Sequence, residues 1–141
     1  LVELSSEPLD LTKLVDFVRS EEAGAISTFS GTTRNNFTVN GVKKRVLLLS
    51  YEAYEPMALS ELRLIIKEAH VRYPTILKVG IAHRTGDVPV AEASVVIATS
   101  SPQRKDAMHA TEWILDELKR RVPIWKKEVY DDGSVWKQNG E

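Results

Sequence analysis

The sequence predicts an α+β fold in which a mostly antiparallel sheet is covered by two main helices and followed by a small C-terminal hairpin. Two long segments carry apolar residues at helical spacing, whereas several shorter segments alternate or are rich in β-branched and aromatic residues. Their order is strand, hairpin, helix, strand, strand, helix and strand, which favours an α+β domain. No strand leads into a GxGxxG turn, so a parallel dinucleotide-binding sheet is disfavoured.

The length of the chain and the lack of repeats or linkers predict one domain over residues 1–141. With 19 Lys and Arg against 20 Asp and Glu, the net charge of −1 argues against a general nucleic-acid binder, which needs a broad positive face. The sequence shows no apolar run of membrane-spanning length and no signal-peptide pattern at its first residues. We therefore expect a cytoplasmic protein that binds no membrane, although its first residue is not Met.

The chain contains no cysteine, which excludes disulfides, thiolate metal sites and a cysteine nucleophile. The three histidines, His70, His83 and His109, are far apart, and no two have the i, i+4 spacing of a helical metal site. We therefore expect no metal and no cofactor. His70 and His109 are predicted on helix surfaces, and His83 is predicted in a strand with a satisfied hydrogen bond.

The first predicted elements are a short helix and a strand that leads into a hairpin. Asp10 is a favourable N-cap before an apolar stripe over residues 11–18. Residues 24–31 (GAISTFSG) predict a strand, and the Asn40-Gly41 pair is a strong hairpin-turn signal. The strand after this turn, residues 45–54, is predicted to be buried on at least one side, with four residues on one face: Leu47, Leu49, Tyr51 and Ala53.

The middle of the chain predicts a helix and two strands. The helix has Pro56 in its first turn and ends at the Tyr73-Pro74 pair. Residues 77–83 alternate in hydrophobicity, and residues 93–100 (ASVVIATS) are apolar in the manner of a central strand. The second of these strands therefore needs cover on both faces.

Two arginines lie at predicted element boundaries. The second long helix is predicted to begin with Ser101 as N-cap and Pro102 in its first turn. Its first N–H groups and Arg104 would form an anion site, although an ordinary capped helix start gives the same pattern. Arg34 is predicted at the end of a strand, where a surface cation is the simpler interpretation.

The second long helix is predicted to end at a corner of five basic residues beside a proline: Lys119, Arg120, Arg121, Lys126 and Lys127. Residues 124–130 follow as a strand, with Lys126 and Lys127 on opposite faces, and residues 131–133 (DDG) turn the chain into the C-terminal hairpin. Repulsion among cations favours a neutral amine, whereas a helix C-terminus favours the ammonium. The lysines are therefore nucleophiles or proton shuttles, anion clamps, or merely a solvated helix end.

Four segments, read together, resemble one family: GTTRNN, LSYEAYEPMA, HRTGDVPVAEASVVIATSS and LKRRVPIWKKE. They are similar to the large subunit of molybdopterin synthase, the MoaE family, from about residue 24 to residue 136. The resemblance implies an α/β hammerhead fold and a central homodimer that carries a small ubiquitin-like subunit at each end, forming a heterotetramer. The need of residues 93–100 for cover on both faces is a second argument for the homodimer.

The resemblance also implies a reaction. Cyclic pyranopterin monophosphate is converted to molybdopterin by building a dithiolene, and each sulfur arrives as a thiocarboxylate on the C-terminal glycine of the small subunit. The protein would then be a sulfurtransferase. The absence of cysteine is consistent with this, because the partner supplies the sulfur.

Site residues are carried over by motif. The family's strand-end arginine falls on Arg34, its helix-start arginine on Arg104, and its two active-site lysines, expected to be catalytic, on Lys119 and Lys126. In the family, the helix-start pair of one subunit faces the pocket of the other. The implied substrate-binding set is Thr32, Thr33, Arg34, Gln103, Arg104, Lys119, Lys126, Lys127 and Glu128.

One position departs from the family, which usually has Ala-His-Arg where this chain has Pro102-Gln103-Arg104. Gln103 donates hydrogen bonds but cannot shuttle protons near neutral pH. Either the family's histidine only positions substrate, which we favour, or this enzyme is impaired or uses another acid.

Two other classes of protein are compatible with these residues. A non-catalytic dimeric adaptor for a ubiquitin-like tail would need a groove but not Lys119. A regulatory protein that binds a phosphorylated ligand would need the arginines but no partner tail.

Overall fold

The structure is a computed structural model that describes residues 1–139. The predicted single domain also includes residues 140 and 141, which lie outside the described residues. The described elements, in chain order, are β1 (Val2–Ser5), α1 (Leu11–Val18), β2 (Ala25–Thr32), β3 (Asn36–Val39), β4 (Val42–Ala53), α2 (Glu55–Arg72), β5 (Lys78–Arg84), β6 (Gly86–Pro89), β7 (Ala93–Ser101), α3 (Arg104–Arg121), β8 (Ile124–Tyr130) and β9 (Val135–Asn139).

The strands form two sheets, where the sequence predicted one. The first sheet has the order β1-β5-β7-β2, and the second has the order β3-β4-β8-β9, with β6 also paired to β4. β1 pairs with β5 in parallel, and the other pairs are antiparallel, so the prediction of a mostly antiparallel α+β fold is confirmed. β1 and β6 were not predicted from the sequence, because each has four residues and is defined by a partner distant in the chain.

The first sheet is covered on both faces by helices of the same chain. On one face, α2 and α3 pack in the main core with residues such as Ile65 and Ile114. On the other face, Leu14 and Val18 of α1 form a second cluster with Val96 and two alanines of the sheet. The expectation that β7 needs a second chain to cover it was therefore wrong, because α1 covers that face. The support for a homodimer comes from the site and not from the cover of β7.

The helix ends follow local chemistry, with one difference from the sequence analysis. Asp10 caps α1, since its Oδ1 accepts a hydrogen bond from the Lys13 N–H at 3.2 Å. α3 begins at Arg104 with Gln103 as N-cap, whereas Ser101 was predicted as the cap. Ser101 stays in β7 because it pairs with β2, and its hydroxyl donates to the carbonyl oxygen of Gln103. In the described residues, no helix is long and apolar enough to cross a membrane.

β4 contains an irregularity that changes which residues are buried. Its register against β8 shifts between Val46 and Leu48, so one strand has an extra residue at this point. Val46 is consequently buried and Leu47 is 51% exposed, whereas Leu49 and Tyr51 are buried. The predicted face was correct for Leu49 and Tyr51 and wrong for Leu47, because strict alternation fails at a bulge.

Gly24 is required where β2 meets the start of α3. Its N–H donates to the carbonyl oxygen of Ser101 at 3.1 Å, and a Cβ at this position would overlap with the carbonyl oxygen of Pro102. We expect Gly24→Ala to lower the free energy of unfolding by about 1–3 kcal/mol, because the backbone must shift to remove the overlap. Urea unfolding measures this change. A variant as stable as the parent would show that the 102–104 segment moves without cost.

Candidate functional site

A cavity of about 320 Å³ lies between the two sheets, beside the C-terminal end of α3. β2 and β7 of the first sheet line it together with β3, β4 and β8 of the second, so it exists only once both sheets are in place. The lining residues are Phe29, Ser30, Gly31, Thr32, Arg34, Phe37, Leu49, Tyr51, Ser94, Val95, Lys119 and Lys126.

The cavity brings together three of the cations selected from the sequence: Arg34, Lys119 and Lys126. Arg34 follows β2 and is exposed, and Lys119 is exposed in the last turn of α3. Lys126 is only 4% exposed, because β8 turns it inward beside its cross-strand partner Tyr51. The arrangement therefore places one cation deep in the cavity and two nearer to solvent.

Lys126 is held by a buried carboxylate. Its Nζ lies 3.5 Å from Oε1 of Glu128, and both side chains are 5% exposed. The other oxygen of Glu128 accepts a hydrogen bond from the Tyr130 hydroxyl. Burial, followed by this hydrogen bond, raises the pKa of Tyr130 to about 12, so its hydroxyl is a donor at neutral pH. Glu128 thus has a partner on each oxygen. Its carboxylate is held in place and orients the ammonium group of Lys126.

The polar groups of the cavity floor come from three strands. The Tyr51 hydroxyl donates to Oγ of Ser94 at 3.2 Å, and the Ser94 hydroxyl donates to the carbonyl oxygen of Gly31 at 3.3 Å. The ring centres of His83 and Tyr51 lie 5.0 Å apart in an edge-on arrangement. Nδ1 of His83 lies 2.8 Å from the carbonyl oxygen of Arg84. His83 is therefore a buried strand residue with a hydrogen-bond partner, as predicted.

The basic corner is less positive than the sequence suggested, because Arg120 and Arg121 bind glutamates, as Lys126 does. Arg121 turns towards α2 and contacts Glu61 and Glu68, both at 2.7 Å, as well as Glu117 on its own helix. Arg120 binds Glu117 at 2.6 Å. The hydrogen bond with Glu68 is the main reason that the pKa of Arg121 is raised. Arg121 therefore joins α3 to α2 and does not belong to the cavity.

This network predicts an acid-dependent stability. Hydrogen bonds from Arg121 and Arg120 lower the pKa values of Glu68 and Glu117, respectively. Their stabilising effect is complete above the unfolded-state pKa of about 4.3 and is lost as pH falls through the lower folded-state values. We expect Arg121→Leu to lower the urea midpoint at pH 7 and to do so less at pH 3. An equal loss at both pH values would assign the effect to packing of the arginine side chain.

Gln103 and Arg104 line a different cavity, of about 750 Å³, together with Gly24, Pro102, Lys105, Met108 and His109. This cavity lies at the start of α3, whereas Lys119 is in its last turn. Fifteen residues of α-helix separate Arg104 from Lys119, which is about 22 Å at 1.5 Å per residue. One chain therefore does not bring these two groups into one pocket.

The other expected site residues differ in their access to the first cavity. Thr32 lines it, whereas Thr33 is buried elsewhere and its hydroxyl donates to the carbonyl oxygen of Val88 at 3.3 Å. Glu128 is buried beside Lys126, and Lys127 lies on the opposite, half-buried face of β8. In the described residues, no group of three or more acidic, histidine or cysteine side chains could hold a metal ion.

Several residues that shape the cavity were not predicted from the sequence, among them Phe29, Phe37, Tyr51 and Ser94. Tyr51 carried a signal, because it shares a strand face with Leu49, and both line the cavity. Phe37 carried a weaker signal as an aromatic residue in a mostly polar segment, residues 34–45. Phe29 and Ser94 carried none, since their position depends on how two sheets meet.

The fold and the site define a class of protein: a two-sheet α+β domain whose sheet junction forms a cavity lined by two lysines and an arginine. A family model described as "MoaE protein" matches residues 4–121. The chain therefore belongs to the MoaE family.

Individual relatives agree with this assignment. The "Molybdopterin synthase catalytic subunit 1" of Aedes aegypti is 50% identical over 99% of this chain and 90% of that protein. The crystal structure of molybdopterin synthase from Staphylococcus aureus superposes with a TM-score of 0.89 at 36% identity, over 97% of this chain and 96% of that chain. A Helicobacter pylori complex of subunits 1 and 2 of molybdopterin-converting factor shares the fold, with a TM-score of 0.73 at 20% identity over 98% of this chain and 88% of that chain.

Proposed function

We propose that this chain is the catalytic subunit of a molybdopterin synthase, with an enzymatic role in molybdenum cofactor biosynthesis. Its reaction is the conversion of cyclic pyranopterin monophosphate to molybdopterin by sulfur transfer from the thiocarboxylated C-terminus of a small ubiquitin-like subunit. The observation that carries the proposal is the cavity that combines Arg34, Lys119 and Lys126 in a chain of this family. Identity of 50% to a protein of that name supports the activity.

The three cations have different roles in this proposal. Arg34, exposed at the cavity mouth, binds the phosphate of the substrate, since a guanidinium matches phosphate oxygens with two N–H groups. Lys126, buried and oriented by Glu128, stabilises negative charge that develops deeper in the cavity. Lys119 is exposed at the helix end, where it meets the carboxyl-terminal tail of the partner. Both lysines transfer protons during sulfur insertion.

A complete site in this proposal contains residues of two chains. Gln103 and Arg104 cannot reach the Lys119 cavity of their own chain, because they lie at the other end of α3. A homodimer in which α3 of one chain reaches the cavity of the other would join all of these anion-binding groups. The Helicobacter pylori relative is a complex of two different subunits, which supports a small partner subunit here as well.

Reconstitution tests the function against the two alternatives. The chain is incubated with the thiocarboxylated small subunit and the pterin monophosphate, and molybdopterin is quantified. We expect product that depends on both components. Partner binding without product would favour the adaptor, and substrate binding without partner binding would favour the regulatory protein.

Gln103 tests whether position 103 takes part in proton transfer. If this position only orients substrate, Gln103→His should leave the rate and the pH–rate profile nearly unchanged. A new ionisation near the histidine reference pKa of about 6.5 in the variant would contradict the positioning role. Gln103→Asn serves as the control, because it keeps the amide but shortens its reach.

A further inference from the structure

Phe37 contacts two cations of the candidate site. The Cζ atom of Arg34 is 4.5 Å from the centre of the Phe37 ring, and Nζ of Lys126 is 5.2 Å from the same centre. Both distances are within the range of about 6 Å over which an aromatic face attracts a cation. The ring itself lines the cavity and is half-buried against the main core. One aromatic side chain therefore contacts both an exposed and a buried cation of the cavity.

The hairpin that carries Phe37 is attached to the rest of the second sheet. Phe37 is paired across the hairpin with Lys44. Nζ of Lys44 lies 3.3 Å from Oδ2 of Asp132, donates to the Ser134 hydroxyl at 3.1 Å, and is 5.1 Å from the centre of the Tyr130 ring. These contacts join β3 and β4 to the turn that follows β8. The hairpin that carries Phe37 is therefore anchored to the rest of the second sheet, although β3 is an edge strand.

We propose that Phe37 is a positioning residue that sets the separation and direction of Arg34 and Lys126 for a phosphate-bearing substrate. Two cations that face one cavity repel each other, and attraction of both to the negative face of one aromatic ring opposes this repulsion. Arg34 has a long, exposed side chain, so fixing it before the substrate arrives reduces the entropy lost on binding. The inference rests on the proposed function, because it assigns Phe37 to that same site.

The kinetic test compares Phe37→Leu with Phe37→Tyr. Leucine keeps apolar packing but has no aromatic face, whereas tyrosine keeps the face. We expect Phe37→Leu to raise KM for the pterin monophosphate by about tenfold with a smaller change in kcat, and Phe37→Tyr to stay near the parent. Phe17→Leu is the matched control, since Nζ of Lys78 lies 5.9 Å from the Phe17 ring centre, outside the cavity. This control should leave both constants unchanged.

A second measurement does not depend on turnover. Inorganic phosphate is titrated into each protein alone, and binding is followed by the NMR signals of the side chains of Arg34 and Lys126. We expect weaker phosphate binding in Phe37→Leu, with those signals moved by loss of the ring current, and parent-like behaviour in Phe37→Tyr and Phe17→Leu. If the parent protein makes no molybdopterin, the proposed function fails, and the phosphate titration alone decides the role of Phe37. Equal KM and equal phosphate binding in Phe37→Leu and the parent would overturn the inference.

Discussion

Lys119→Ala is expected to reduce molybdopterin formation by on the order of a hundredfold or more while the protein folds normally and binds the small subunit. The expectation follows from the position of Lys119, which is exposed and lines the same cavity as the buried Lys126. If Lys119 merely capped the helix end, Lys119→Ala would lower the free energy of unfolding by well under about 1 kcal/mol and would leave turnover nearly intact. Single-turnover product formation and urea unfolding of the same variant separate the two roles.

Lys119→Arg refines the test, because arginine retains the charge but has no amine that can act as a nucleophile or transfer a proton. We expect Lys119→Arg to be as inactive as Lys119→Ala. Lys126→Arg should be more active than Lys126→Ala if the main role of Lys126 is electrostatic. Arg120→Ala is a matched control, since Arg120 is the next residue of the helix but binds Glu117 outside the cavity. A fully active Lys119→Arg enzyme would exclude nucleophilic and proton-transfer roles for this amine and leave only charge.

Mixing two inactive variants is expected to restore activity if the site is shared between chains. Arg104→Ala and Lys119→Ala are each expected to be strongly impaired, because each removes a group from both pockets of a homodimer. Random exchange makes half of the dimers mixed, and each mixed dimer has one intact pocket, so we expect about a quarter of the parent activity. Product formation before and after exchange measures the recovery.

Two results would contradict the shared site. The absence of recovery, with subunit exchange demonstrated by mass spectrometry of differently labelled chains, would show that activity needs both residues in the same chain. Sedimentation at micromolar concentration that shows only monomer would also contradict the shared site, because one chain holds these residues at opposite ends of α3. The same mixing experiment with Lys105→Ala in place of Arg104→Ala tests a neighbouring residue, since Lys105 lines the same cavity as Arg104.

Sequence patterns alone determined most of the secondary structure of the described chain. The apolar stripe after Asp10, the prolines at the ends of α2 and the Asn40-Gly41 turn each predicted an element that is present, because caps, prolines and positive φ angles act over a few residues. Asn40 has φ 51° and Gly41 has φ 78°, as a tight hairpin turn requires. The motifs that resemble the MoaE family also identified the family from the sequence.

Tertiary structure decided the division into two sheets and the composition of the cavity. β1 is four residues long and is stabilised by β5, almost eighty residues later, so no local pattern specifies it. Arg121 and Lys119 are two positions apart and look equivalent in sequence. However, a helix turns about 100° per residue, so Arg121 reaches the glutamates of α2 while Lys119 faces the cavity. Which cations are neutralised and which line the cavity is therefore a property of packing, because it depends on groups that are distant in the chain.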